Sequence, residues 1–110
     1  MRPKKYYLEL FEHTYVFCIN WTPEAFEKWM MKVHKRQVDL TGADGYCQSI
    51  PSENEIVIWT GNKSDQTILH ECIHAASLTL DDIGYKPDFN NDEVPAYLIS
   101  LIFKKAKEAR

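Results

Sequence analysis

The alternation of apolar and polar positions predicts strands in three parts of the chain. Residues 6–20, YYLELFEHTYVFCIN, are rich in aromatic and β-branched types and predict one long strand, or two with a break near His13 and Thr14. The turn sequence TGADG is followed by a short predicted strand over 46–50. EIVIWTG, residues 55–61, has the clearest strand pattern in the chain.

Apolar residues at helical spacing predict three helices. Thr22 is a predicted N-cap with Pro23 at the first helical position, and Ser64 or Asp65 caps the second helix. The helices are expected over 23–38, over 65–80 and, after a polar loop at 81–91, from 91 onward. The order β-α-β-β-α-α predicts a single α+β domain over residues 1–110. In this fold a small, mainly antiparallel sheet packs on helices and the second helix is central.

Composition narrows the class of protein. With 110 residues and 45% apolar residues the chain is expected to form one globular domain. A net charge of -3 without a basic stripe argues against nucleic-acid binding, and no run reaches transmembrane length. Glu9, Glu12 and His13 interrupt what would be the apolar part of an export signal. Three cysteines without a CxxC pair favour the reducing cytoplasm.

Candidate chemistry is concentrated in the second predicted helix, within ILHECIHAA. His70 and His74 are four residues apart, so both imidazoles point from one side of the helix and can reach a single zinc ion. Glu71 lies about 100° around the helix, too far for an easy third ligand but able to reach a water molecule there. This is the His-Glu-x-x-His arrangement of two ligands and a general base. The alternative interpretation is a pair of partly buried helix histidines beside a surface glutamate.

Apolar residues of the same helix lie beside the histidines. They are expected to form a neighbouring, buried face of the helix, so that the side with His70, His74 and Ser77 faces a groove. The expected buried residues are Ile68, Leu69, Ile73, Ala76 and Leu80.

A catalytic zinc ion needs a third protein ligand and an open position. Glu93 is the preferred candidate because it opens the next helix after a loop long enough to reverse the chain. Asp92, His13 and His34 are the other candidates. Glu93 also fits a structural role, since Asn90 and Glu93 approximate a capping box.

HECIH followed by Glu93 in NNDEVPAY resembles the zincin metallopeptidases whose third ligand is a glutamate, the gluzincins. The wider pattern of EIVIWTG, ILHECIHAA and NDEVPAYLI is similar to small zincin-like proteins encoded by bacteriophages and prophages. The resemblance implies that His70, His74 and Glu93 bind zinc and that Glu71 is the catalytic base. It also implies that extended peptide substrates lie along the strand at 56–59 by strand addition.

Two features depart from the gluzincin pattern and leave two functions open. Tyr97 occupies the position where many gluzincins have a supporting aspartate, and the residue that stabilises the oxyanion has no match by motif. Tyr97 and Tyr85 are the candidates for that role. The expected function is therefore a cytoplasmic zinc peptidase acting on peptides or proteins, in the host cytoplasm if phage-encoded. The alternative is a non-catalytic, zinc-binding phage protein that acts through protein contacts.

Overall fold

Four strands form one sheet, which confirms the predicted α+β class. The computed structural model describes residues 1–86, 88 and 90–110. The strands are β1 (Lys4–Leu8), β2 (His13–Ile19), β3 (Gly45–Ile50) and β4 (Glu55–Thr60), in the order β1-β2-β4-β3. The two outer pairings are antiparallel and the central β2–β4 pairing is parallel, so the sheet is mainly antiparallel. Residues 6–20 belong to two strands, as in the second of the predicted alternatives. The break lies over 9–12 and not near His13 and Thr14, because a 3-10 turn at Glu9–Phe11 and the left-handed φ of 54° at Glu12 reverse the chain.

The three helices are α1 (Pro23–His34), α2 (Asp65–Asp82) and α3 (Glu93–Glu108). The predicted caps are present: Thr22 and Ser64 each accept a hydrogen bond from the backbone N–H three residues on. α1 ends earlier than the expected Val38 because Lys35 adopts a left-handed φ of 56°. α3 begins after Asp92, and that N-cap makes no side-chain bond, so the alternative role of Glu93 in a capping box with Asn90 is wrong.

The sheet has a helical layer on each face, because alternate residues of the two central strands point to opposite sides. On one face, Val57 and Trp59 of β4 pack with Phe26 and Met30 of α1, and the rings of Phe26 and Trp59 stack 5.8 Å apart. The opposite face of the central strands packs against α2 and α3. It carries Tyr15, Phe17, Ile19, Ile56 and Ile58.

α2 is the central helix, as predicted, since it packs against β3, β4 and α3. Ile68, Ala76 and Leu80 are buried, but Leu69 and Ile73 are 38% and 44% exposed. The prediction that these two are buried is wrong because the sheet and α3 cover a narrower part of the helix. No helix in the described ranges is long and apolar enough to cross a membrane.

Candidate metal centre

α2 brings His70 and His74 together on its exposed side. The two Nε2 atoms lie 3.2 Å apart, and the rings are 4.8 Å apart at 78°. Two zinc–nitrogen bonds of about 2.0–2.1 Å at a tetrahedral angle place the nitrogens about 3.3–3.4 Å apart. The observed spacing therefore fits two ligands of one ion. It also fits a hydrogen bond in which one ring donates to the other.

Glu71 lies on the adjacent side of α2, facing β3, and is only 6% exposed. Burial raises the pKa of its carboxyl above the ordinary value, and the nearby His70 and His74 offset part of this effect. A carboxyl with a raised pKa suits a general base that works near neutral pH. Within the described part of the chain, the Glu71 carboxylate does not form a metal-binding group with the imidazoles of His70 and His74. This placement matches the predicted separation of base from ligands.

Gly45, the first residue of β3, determines how closely Glu71 approaches the sheet. A Cβ atom at this position would lie 2.6 Å from Oε2, 2.7 Å from Cγ and 2.9 Å from Cδ of Glu71. Such distances are shorter than real Cβ contacts, so the carboxyl occupies space that any side chain at position 45 would take. The absence of a side chain at Gly45 is therefore what admits the carboxyl of Glu71 beside the strand.

An open groove of about 630 Å³ between α2 and β3 holds the two histidines and the glutamate. Its lining residues are Gly45, Tyr46, Cys47, His70, Glu71, His74, Ser77, Leu78 and Asp81. Burial and then the neighbouring Glu71 raise the pKa of the Cys47 thiol, which keeps it protonated and unreactive. The groove therefore presents imidazole and carboxylate groups without a competing thiolate.

The predicted third ligand lies apart from the histidines. In the described ranges, the residues that form a three-member cluster with metal-ligand spacing are His34, Glu53 and Glu55, so Glu93 does not join His70 and His74. Glu93 is exposed at the start of α3. Pro95, two residues further on, lines a groove beside Ser77 and Asp81 of α2. The start of α3 thus lies along the same helix as the histidines, beyond His74.

The other candidate ligands occupy different places. Asp92 is the exposed N-cap of α3. His13 is buried, with Nε2 3.1 Å from a carboxylate oxygen of Asp82 and Nδ1 2.7 Å from the carbonyl of Phe11. His34 pairs with two glutamates at the end of α1.

The two tyrosines considered for oxyanion stabilisation line another part of the surface. Tyr97 is 73% exposed and borders an apolar groove with Leu8, Phe11 and Leu98. Tyr85 borders the same groove, and its hydroxyl donates to the carbonyl of Asn91 at 3.2 Å. The structure does not gather either hydroxyl into the groove that holds His70 and His74.

The strand predicted to receive an extended substrate is the wrong one. Residues 56–59 belong to β4, which pairs with β2 on one side and β3 on the other. A strand paired on both edges offers no backbone groups for a further strand. β3 is the edge strand beside β4, with β4 as its one partner in the described part of the chain, and β1 forms the opposite edge of the sheet. The outer edge of β3 borders the groove beside Glu71 and is where strand addition can occur.

Sequence reasoning missed Gly45 and Cys47 as parts of the site, because TGADG indicated only a turn. One signal was available: a glycine at the start of a strand pattern often marks close approach of another group. The partner that approaches, Glu71, lies in a distant helix, so no local pattern could identify it.

No protein-family model, curated protein or solved structure matches this chain. The resemblance to the zincins therefore rests on the residues of the motif.

Proposed function

We propose that this protein is a zinc-dependent peptidase whose zinc is held by His70 and His74. The observation that carries the proposal is the juxtaposition in one groove of two imidazole nitrogens 3.2 Å apart with a buried glutamate. When bound, zinc supplies Lewis-acid chemistry, which polarises a peptide carbonyl and makes a water molecule acidic near neutral pH.

The residues of the chain would perform the proton transfer and position the substrate. Glu71 takes the proton of the attacking water and returns it to the amine that leaves when the peptide bond breaks. The raised pKa of Glu71 supports the first step, because a more basic carboxylate accepts the proton of the water more readily. The outer edge of β3 binds the substrate in extended form through main-chain hydrogen bonds. The substrate class is therefore an extended peptide or an unfolded segment of a protein.

A second candidate function is a zinc-binding protein that acts through protein contacts without catalysis. The position of Glu93 apart from the histidines favours it, since a catalytic site ordinarily has three protein ligands. Tyr97 and Tyr85, the candidate oxyanion stabilisers, line another groove, and this favours it too.

A reducing cytoplasm is part of the proposal because all three cysteines are free thiols. The resemblance adds a bacteriophage or prophage origin, and with it the cytoplasm of the host.

Metal analysis of three purified proteins tests the zinc site. The wild type should carry zinc at this site, and His70→Ala should lose it. Ser77→Ala is the matched control, since Ser77 is exposed, lines the same groove and lies on the same side of α2. It should retain the zinc. A zinc-free wild type, or equal zinc in all three proteins, would rule out the site.

Glu71→Gln separates the two functions. Loss of a general base lowers the rate by about 10²–10⁴-fold, so cleavage of an unstructured peptide mixture, followed by mass spectrometry, should disappear while zinc remains. Equal cleavage by the wild type and the variant would exclude Glu71 as the base. Zinc binding without any cleavage by the wild type would favour the binding protein.

A further inference from the structure

A second group of metal-ligating side chains lies on the opposite face of the sheet from the histidine groove. His34 is the last residue of α1, Glu53 closes the short turn before β4, and Glu55 begins β4. His34 Nδ1 lies 3.6 Å from Glu53 Oε2, and His34 Nε2 lies 3.5 Å from Glu55 Oε1. One donor atom from each of the three residues lies within 4.8 Å of the other two.

The imidazole of His34 is buried and incompletely satisfied. Its side chain is 2% exposed, and Nε2 is a buried nitrogen without a hydrogen-bond partner in the described part of the chain. The 3.5 Å gap to the Glu55 carboxylate is too long for a hydrogen bond. A buried polar atom without a hydrogen-bond partner destabilises the folded state and is rare, so a ligand that binds this nitrogen would remove the cost.

The spacing suits an ion between the groups better than direct bonds. Donor atoms that share a tetrahedral ion at about 2.0–2.2 Å lie about 3.3–3.6 Å apart. The separation of Nε2 from the Glu55 oxygen falls in this range. Glu53 approaches the other nitrogen, Nδ1, so its half-exposed side chain would have to turn toward Nε2 to complete the site. Two carboxylates also meet here with one nearby cation, Lys5, whose Nζ lies 3.9 Å from Glu55 Oε2. The two carboxylates outweigh the charge of Lys5, so the group remains negative and attracts a cation.

We propose that His34, Glu53 and Glu55 bind a divalent first-row transition-metal cation that ties the end of α1 to the start of β4. One imidazole with two carboxylates suits Zn²⁺ or Mn²⁺, whereas Ca²⁺ requires six or more oxygen ligands. Glu55 points to the same face as Val57 and Trp59, which pack against α1. Glu71 and its groove lie on the other face, so this site is independent of the proposed catalytic zinc.

The experiment uses the double variant His70→Ala/His74→Ala, which removes the histidine site and leaves this one. The metal-free protein is titrated with Zn²⁺ by calorimetry and with Mn²⁺ by electron paramagnetic resonance of the free ion. One equivalent should bind. Co²⁺ provides a local readout, because the Trp29 ring lies 5.3 Å from the His34 ring and a bound paramagnetic ion should quench its fluorescence. Trp29→Phe should abolish most of that quenching.

Single changes in the double variant identify the ligands. Glu53 is half-exposed, so Glu53→Gln should leave the fold intact and weaken Zn²⁺ binding by roughly tenfold or more. Glu24→Gln, an exposed glutamate in the first turn of α1, is the matched control and should bind as before. Lys5→Gln removes the competing cation and should tighten binding by about two- to fivefold. Absence of binding by the double variant, or equal affinities for the Glu53 and Glu24 variants, would overturn the proposal, whatever the histidine groove does.

Discussion

Gly45→Ala is the most direct test of how Glu71 is positioned. The added Cβ would lie 2.6 Å from Oε2 of Glu71, whereas ordinary contact begins at 3.4 Å, so the carboxyl must move by about 0.8 Å. A misplacement of about 1 Å in a catalytic group can cost about 10²-fold in rate. We therefore expect kcat/KM for peptide cleavage to fall by about 10²-fold with the zinc content unchanged.

The effect of this substitution on folding should be small. Overpacking costs about 1–3 kcal/mol, and here the low end applies because all three close contacts are with one side chain and none is with backbone. Replacing glycine also reduces the entropy of the unfolded chain, which contributes about 0.4–1 kcal/mol of stability. The free energy of unfolding should thus change by less than about 1 kcal/mol, so a fall in activity cannot be assigned to unfolding.

Two measurements check the cause. In metal-free Gly45→Ala, the pKa of the Glu71 carboxyl, followed by carbon NMR, should fall toward its ordinary value because the displaced carboxyl is better hydrated. In a Glu71→Ala background the added methyl meets no carboxyl, so Gly45→Ala should be neutral or stabilising in urea denaturation. If Gly45→Ala changed the stability of the wild type and of Glu71→Ala equally, and left the pKa of Glu71 unchanged, then Gly45 would not position the Glu71 carboxyl.

Three further predictions concern groups in the core and the site. Glu71→Gln should make the metal-free protein more stable at pH 7, because a buried carboxyl with a raised pKa reduces stability as the pH rises from 4.5 through its folded-state pKa. In urea denaturation at several pH values, the difference in the free energy of unfolding between Glu71→Gln and the wild type should vanish below pH 4.5. A difference that stays constant with pH would contradict this prediction. Thr79→Val should cost about 1–3 kcal/mol, because it leaves the buried Tyr15 hydroxyl, 2.8 Å from Thr79 Oγ1, without that partner. Adding Tyr15→Phe to Thr79→Val should recover part of the lost stability, because the unpaired hydroxyl is then removed. If the two substitutions had strictly additive effects on the free energy of unfolding, the two side chains would not be coupled. Burial raises the pKa of the Cys18 and Cys72 thiols to about 12, so iodoacetamide at pH 8 should label them only as fast as the protein opens. Labelling of the native protein at the rate of a free thiol would contradict their burial.

Several features of the fold follow from local sequence and were predicted correctly. Thr22 and Ser64 cap their helices because each offers a side-chain oxygen to N–H groups only three residues away. His70 and His74 meet because the helical period places side chains four residues apart above one another. These relations span a few residues, so the backbone conformation of one element suffices to produce them.

The order of strands and the surroundings of the site depend on contacts between distant residues. β4 has the strongest strand pattern and is an inner strand, so the weaker β3 provides the free edge beside the groove. Alternation of apolar residues indicates that a strand is buried, but it does not indicate which strands pair with it. The close approach of Gly45 to Glu71 is likewise invisible in the sequence, because it joins the first residue of a strand to the middle of a helix.

The sequence by itself determined the three helices, the N-caps of α1 and α2 and the pairing of two histidines on one helix, since short-range geometry dictates all of these. Only the tertiary structure decided that Glu71 is buried against Gly45, that Glu93 stands apart from the histidines, and that His34 meets two glutamates. The physical reason is that these placements arise from how helices pack on a sheet, where the positions of all the elements together determine which side chains meet.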